Sequence, residues 1–216
     1  MTDSAQSVTS SKMHSDFRHE VRKLRTWLAN NRYVDDYDFW WPDQGVVGTF
    51  QRFVGSVRVQ DWTEEDVTDL LYVLENSSTG YLVELLAENE AMTIAIATHS
   101  LARGGLASDD IAEQLAYCDQ QCEEAEALLI QFAQHPHERT RRMALLSLAR
   151  LQSAAVPMLA ITAWNTGDEF QRIGALSALD TISSDLFSSY LSQVHLDGRA
   201  HLVAYARKWG ATAGKK

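Results

Sequence analysis

Proline, cysteine and long apolar runs are all scarce in this chain, and each scarcity removes a class of protein. Three prolines in 216 residues, with 45% hydrophobic and 22% charged residues, do not describe a disordered chain. Two cysteines, Cys118 and Cys122, are too few for a disulfide framework and fit a reduced, cytoplasmic protein. No run is long and apolar enough to span a bilayer, and Met1 to Lys12 lacks the apolar core of a signal peptide. Almost no segment alternates apolar and polar residues over the length a strand needs. No glycine-rich phosphate loop, Gly-x-Ser-x-Gly elbow or other nucleophile motif is present, and Gly104-Gly105 reads as a helix end. No catalytic residue is assigned.

Basic residues are missing in a more local sense. Residues 59–138 contain one, Arg103, against seventeen acids, a net charge of −16. Residues 1–58 carry eight Lys/Arg and seven Asp/Glu, and residues 139–216 carry ten and five, so the flanks stand at +1 and +5. An acidic block of this size repels phosphate backbones and attracts basic protein surfaces, although solubility alone also favours acidic helix faces. The expected partner is a protein with a basic surface, with no direct nucleic-acid binding and no membrane. Nothing in the sequence specifies an oligomeric state.

What is present is helical periodicity. From Met13, the residues Phe17, Val21, Leu24 and Leu28 share one face, with Arg18, Arg22 and Arg25 around it. A second helix runs through Phe50, Phe53 and Val57. Thr63 is a candidate N-cap followed by Glu64, Glu65 and Asp66, and behind it Val67, Leu70, Leu71 and Leu74 form a buried stripe. Further helices run from about 80 to 209. The implied organisation is a flexible tail over 1–12 and a single helical domain over 13–210. That domain comprises an N-terminal cap (13–60), a repeat core (61–182) and capping helices (183–210), and 211–216 form a second flexible tail.

Two segments repeat at an offset of 31 residues, 125–148 and 156–179. Leu128 falls over Leu159, Glu138 over Glu169, Arg141 over Arg172, Ala144 over Ala175, Leu145 over Leu176 and Leu148 over Leu179. Each copy reads as a helix, a polar turn and a second helix, and Leu82 to Leu101 is a degraded earlier copy without the arginine. The pattern resembles the HEAT-repeat family of armadillo-like helical solenoids. In that family an apolar first helix meets an acidic turn, then Arg-x-x-Ala and leucine on the second helix. The resemblance implies an all-α, right-handed superhelical solenoid of antiparallel helix pairs, here about ten to eleven helices, with a groove lined by second helices. It implies a binding surface rather than an activity.

Other chemistry is weak. Cys118, Cys122, His135 and His137 have the residue types of a zinc site without a familiar ligand spacing, so no metal and no cofactor is expected. His19-Glu20 and His137-Glu138 depart from the matched dipeptides of the HEAT-like deoxyhypusine hydroxylases. Trp164 and Asp168, the pair a HEAT-like DNA glycosylase would use, are separated by Gly167, which is expected to end the helix between them.

The candidate partner-binding residues fall in two groups. One is the loop Asp35, Asp36, Tyr37, Asp38, Phe39, Trp40 and Trp41, which combines rigid aromatic area with carboxylates. The other is the set of acids Glu64, Glu65, Asp109, Asp110, Glu123, Glu124 and Glu126. The leading expectation is a non-enzymatic solenoid that docks a basic partner, in the manner of an inhibitor or immunity protein for a cationic toxin or enzyme. The alternatives are a scaffold or adaptor subunit, and a HEAT-like enzyme of the glycosylase, hydroxylase or lyase type.

Overall fold

The computed structural model describes residues 3–30, 43–76, 81–105 and 107–213, and these are helical throughout with no strand among them. They form twelve α-helices and three short 3-10 segments, slightly more helices than the ten to eleven expected. The stretch 81–88 is less regular than the helix expected there. It forms a single α turn, Tyr81–Glu84, which tightens into a 3-10 turn over Leu85–Glu88. Contacts gather into two compact units, Met1–His99 and Ser100–Lys216.

In the first unit, α1 spans Asp3–Asn30 and so continues through ten residues of the expected N-terminal tail. Ser, Thr and Gln there have no apolar face, but extending an existing helix needs no new nucleus. Phe17, Val21 and Leu24 of α1 are buried against Phe50 and Phe53 of α2 (Asp43–Ser56), with the Phe17 and Phe53 rings stacked at 4.9 Å. Each such ring contributes about 2–3 kcal/mol by leaving water. Helix α3 (Glu64–Asn76) buries the whole stripe Val67, Leu70, Leu71 and Leu74. Thr63 caps it as expected: its Oγ1 accepts from the Asp66 N–H at 3.2 Å, while an Asp66 oxygen accepts from the Thr63 N–H at 2.8 Å. Both bonds satisfy donors that a helix start otherwise leaves open. After α4 (Tyr81–Glu84), α5 (Glu90–Arg103) carries the chain into the second unit and ends at Gly104, whose φ of +66° needs glycine.

The second unit continues with α6 (Ser108–Gln114), α7 (Glu123–Phe132), α8 (Glu138–Arg150), α9 (Val156–Asn165), α10 (Glu169–Thr181), α11 (Leu186–Asp197) and α12 (Ala200–Ala213). Helix α8 packs on both α6 and α10, and α10 packs on α12, while α7, α9 and α11 each pack on their sequence neighbours. Burial repeats at the offset read from sequence. Ala125, Leu129 and Phe132 are buried, and so are Val156, Ala160 and Ala163; Ala144, Leu145 and Leu148 are matched by Ala175, Leu176 and Leu179. Gly174 lets the helices approach, because a Cβ there would lie 2.8 Å from Cγ of Arg142.

The helix ends repeat too. Gln152 (φ 57°) follows α8 and Ser183 (φ 52°) follows α10, both left-handed and 31 residues apart. The next amide, Ser153 or Ser184, donates to the carbonyl of Leu148 at 3.0 Å or Leu179 at 2.9 Å. This is a Schellman ending with a residue other than glycine at the left-handed position. Ser183→Gly is therefore expected to raise stability by about 0.5–1 kcal/mol in chemical denaturation. A loss of stability would mean that Ser183 is not strained.

Candidate functional site

The loop residues Asp35, Asp36, Tyr37, Asp38, Phe39, Trp40 and Trp41 lie outside the described residues. The acids of the middle block are described, and many of them hold arginines that come from the flanking basic segments.

In the first unit, Arg18 of α1 donates to Asp66 through Nε at 3.1 Å and Nη2 at 2.9 Å, and its Nη1 pairs with Glu65 at 2.6 Å. His14 adds an Nδ1 contact to Asp66 at 2.9 Å. Two turns along α1 and about one along α3, Arg25 pairs with Asp69 at 2.7 Å and lies over the Tyr72 ring. Burial pushes the Asp66 carboxyl up, but hydrogen bonds from Thr63, His14 and Arg18 outweigh it and hold the group below its ordinary value. At Asp69 burial prevails over Arg25, and its pKa is raised. Asp61 pairs with Arg58 at 2.9 Å. Glu64 is exposed and has no ion-pair partner among the described residues.

In the second unit, Arg139 of α8 binds Asp109 at 2.5 Å and lies 3.7 Å from Asp110, both in the first turn of α6. Burial and the neighbouring Asp109 push Asp110 upward. Glu113 faces Arg150 at 3.6 Å. Glu126 accepts from the Ser153 hydroxyl at 2.5 Å, tying the start of α7 to the turn before α9. Glu123 and Glu124, in the same first turn of α7, are exposed and pair with no described cation.

The residues matched at the 31-residue offset make corresponding local bonds. Arg141 donates to the carbonyls of His135 and Pro136 at 2.9 and 2.7 Å, and Arg172 to that of Trp164 at 3.1 Å. Each arginine thus satisfies carbonyls near the end of the preceding helix. Glu138 accepts from Gln171 of α10 at 3.1 Å, and Glu169 accepts from the His201 and Leu202 amides of α12 at 3.0 and 3.1 Å. The first-turn carboxylate of one second helix therefore fastens the next. Trp164 is buried beneath Arg172, Gly167 ends α9 with φ +76°, and Asp168 caps α10 through a 2.9 Å bond from the Gln171 amide. Asp197 binds Arg199 and Arg172, which hold its carboxyl far below the usual range.

Among the described residues no group of three or more His, Cys, Asp and Glu is arranged to hold a metal ion. Cys122 is the N-cap residue of α7, and Cys118 is buried. His135 is buried, and its Nδ1 accepts the His137 amide at 3.2 Å, which places the proton of the neutral ring on Nε2, an atom with no partner. Burial, with His137 and Arg141 nearby, depresses its pKa below 6.5, against an opposing pull from Asp109. A histidine with a depressed folded pKa leaves stability unaffected above its unfolded value. Below that value the unfolded chain takes the proton first, so stability falls. Melting temperature is expected to drop as pH is lowered from about 7 to about 5. In His135→Asn, whose side-chain oxygen can still accept the His137 amide, that slope should flatten. An unchanged slope would remove His135 as its source.

The arginine partners were not expected from the sequence, although the basic flanks beside a block of net charge −16 were their signal. Comparison with family models, with curated proteins and with solved structures returns no match for this chain, so the repeat reading rests on the chain's own internal similarity.

Proposed function

We propose that this chain is a non-enzymatic protein-binding module and that the Ser100–Lys216 unit is a right-handed, HEAT-like solenoid of helix pairs. It docks a basic protein surface on the first turn of α7. The observation that carries the docking site is the exposure of Glu123 and Glu124 without a described cation, while Asp109, Asp110 and Glu113 face arginines and Glu126 is hydrogen-bonded. Two uncompensated carboxylates on a rigid helix attract a cationic partner at long range and then pair with it at short range. The solenoid reading is supported by the order α6, α8, α10, α12 in which second helices pack, and by their carboxylate fastenings.

An inhibitor or immunity protein for a cationic toxin or enzyme is the form of this function that a small chain without catalytic motifs fits best. The test is affinity capture from the native host with the tagged parent and with Glu123→Lys/Glu124→Lys. Glu126 is left in place because it anchors Ser153. One basic protein should be retained by the parent and lost by the variant, with the helical spectrum unchanged, because a first-turn acid contributes only about 0.3–1 kcal/mol through the helix dipole. Equal retention by both would remove the α7 site. Abolition of the captured protein's activity would identify an inhibitor, and unchanged activity a scaffold.

A further inference from the structure

The exposed face of α8 carries two arginines whose hydrogen-bonding edges are open, and each sits beside an exposed aromatic ring. Arg142 donates through Nε to Glu138 at 2.9 Å, which leaves its two terminal nitrogens without a described partner. Its guanidinium lies 5.6 Å from the centre of the Phe170 ring, and Phe170 in turn stacks on His201 at 6.3 Å. Arg150, two turns further along, faces Glu113 at 3.6 Å, too long for a hydrogen bond, and lies 5.9 Å from the centre of the Tyr117 ring. Tyr117 is 61% exposed and Phe170 49%, so each ring offers apolar area to a partner beside its guanidinium. Leu146, partly exposed, stands midway between the two arginines at helical i, i+4, i+8 spacing.

We infer that this face of α8 is a second docking surface, for a protein segment bearing two carboxylates that match Arg142 and Arg150, two helical turns apart in the chain, with an apolar side chain between them. The chemistry selects the occupant. A guanidinium with two free N–H groups matches a carboxylate in a forked pair, and an adjacent ring lowers the exposure of that pair to water. Arginine with aromatic neighbours is also the composition of interface hot spots. Glu138 and Glu113 hold the two guanidiniums in place from the side and leave the outer edges open. Carboxylates eight residues apart on a helix repeat the residue spacing of Arg142 and Arg150, and an intervening leucine would cover Leu146. A nucleic acid fits less well. Its phosphate backbone carries no apolar group at the midpoint to cover Leu146 between the two guanidiniums. The inference is independent of the α7 site, which involves other residues and a partner of opposite charge.

The test titrates the isotope-labelled full chain with an alanine-rich helical peptide carrying two glutamates eight residues apart and a leucine midway. The two controls are the same peptide with lysines in place of the glutamates and an oligodeoxythymidylate. Saturable amide shifts are expected along α8 and around Phe170 with the glutamate peptide only. Arg142→Gln and Arg150→Gln are each expected to weaken binding about tenfold, as loss of a charge-assisted pair requires. If Arg142→Gln disturbs the fold through Glu138, Arg150→Gln and Tyr117→Ala still give the reading, because both side chains are largely exposed. Absence of saturable shifts, an equal response to the lysine peptide, equal binding of the oligonucleotide, or undiminished affinity in Arg150→Gln would each overturn the assignment.

Discussion

Asp66→Ala is expected to destabilise the Met1–His99 unit by about 3 kcal/mol, the scale for removing one partner of a buried ion pair. Asp66 is fully buried, and its carboxylate receives Arg18, His14, and the amide and hydroxyl of Thr63. Removing it leaves the Arg18 guanidinium part-buried with only exposed Glu65 and Thr63 to hold, and uncaps α3 at the same time. Thr63→Ala should cost about 1 kcal/mol, the scale of a lost cap, and Glu65→Gln well under 1 kcal/mol because that pair is exposed to solvent. The pH dependence has a definite sign. The folded pKa of Asp66 lies below 3.8, so its contribution is present above that value and is lost as pH falls through the folded pKa. Urea unfolding of the parent and the three variants near neutral pH checks the order. A cost for Asp66→Ala no larger than that for Thr63→Ala would show that the ion-pair seam between α1 and α3 holds nothing.

Leu148→Ala and Leu179→Ala are expected to cost about 2–5 kcal/mol each, the range for leucine truncated in a packed core, and to cost similar amounts. Both side chains are fully buried on second helices and stand 31 residues apart. Each also supplies the carbonyl that closes its helix end, to Ser153 and Ser184, so the backbone around the two positions is equivalent. Equivalent sites in stacked repeats see the same kind of neighbours on both sides, which is why their costs should agree. If one variant unfolds the chain while the other is nearly silent, the two segments are not copies of one unit. Guanidinium denaturation followed by far-UV circular dichroism makes the comparison.

The sequence showed most where one periodic signal acts within one element. The stripe Val67, Leu70, Leu71 and Leu74 is buried as its spacing requires, Thr63 is the cap its position suggests, and Gly104 and Gly167 end helices. The 31-residue correspondence was legible because its conserved roles are local: an arginine for the preceding carbonyls, an alanine or glycine for close approach, and leucines for the seam. It was not legible that Gln152 and Ser183 would adopt left-handed backbone, since neither is the glycine that marks such an ending. Nor could spacing reveal Arg18 on Asp66, 48 residues away, or Arg139 on Asp109. The acidic block looked like one continuous field because sequence order separates charges that folding brings together. Glu65, Asp109 and Asp110 were reasonable candidates by charge, and each faces an arginine in the structure. Glu64 at the start of α3 and Glu123 and Glu124 at the start of α7 remain, because no described cation pairs with them; only at α7 do two such carboxylates stand side by side.

That difference makes the proposed docking site measurable once a captured partner is in hand. Stopped-flow association should be followed across ionic strength for the parent and for Glu123→Lys/Glu124→Lys. The account expects the parent's association rate to fall steeply with added salt while dissociation changes less, and the variant to associate slowly with a flattened or reversed salt dependence. A parent rate insensitive to salt, with unchanged affinity in the variant, would mean that the acids at the start of α7 are solvated surface and that the partner docks elsewhere.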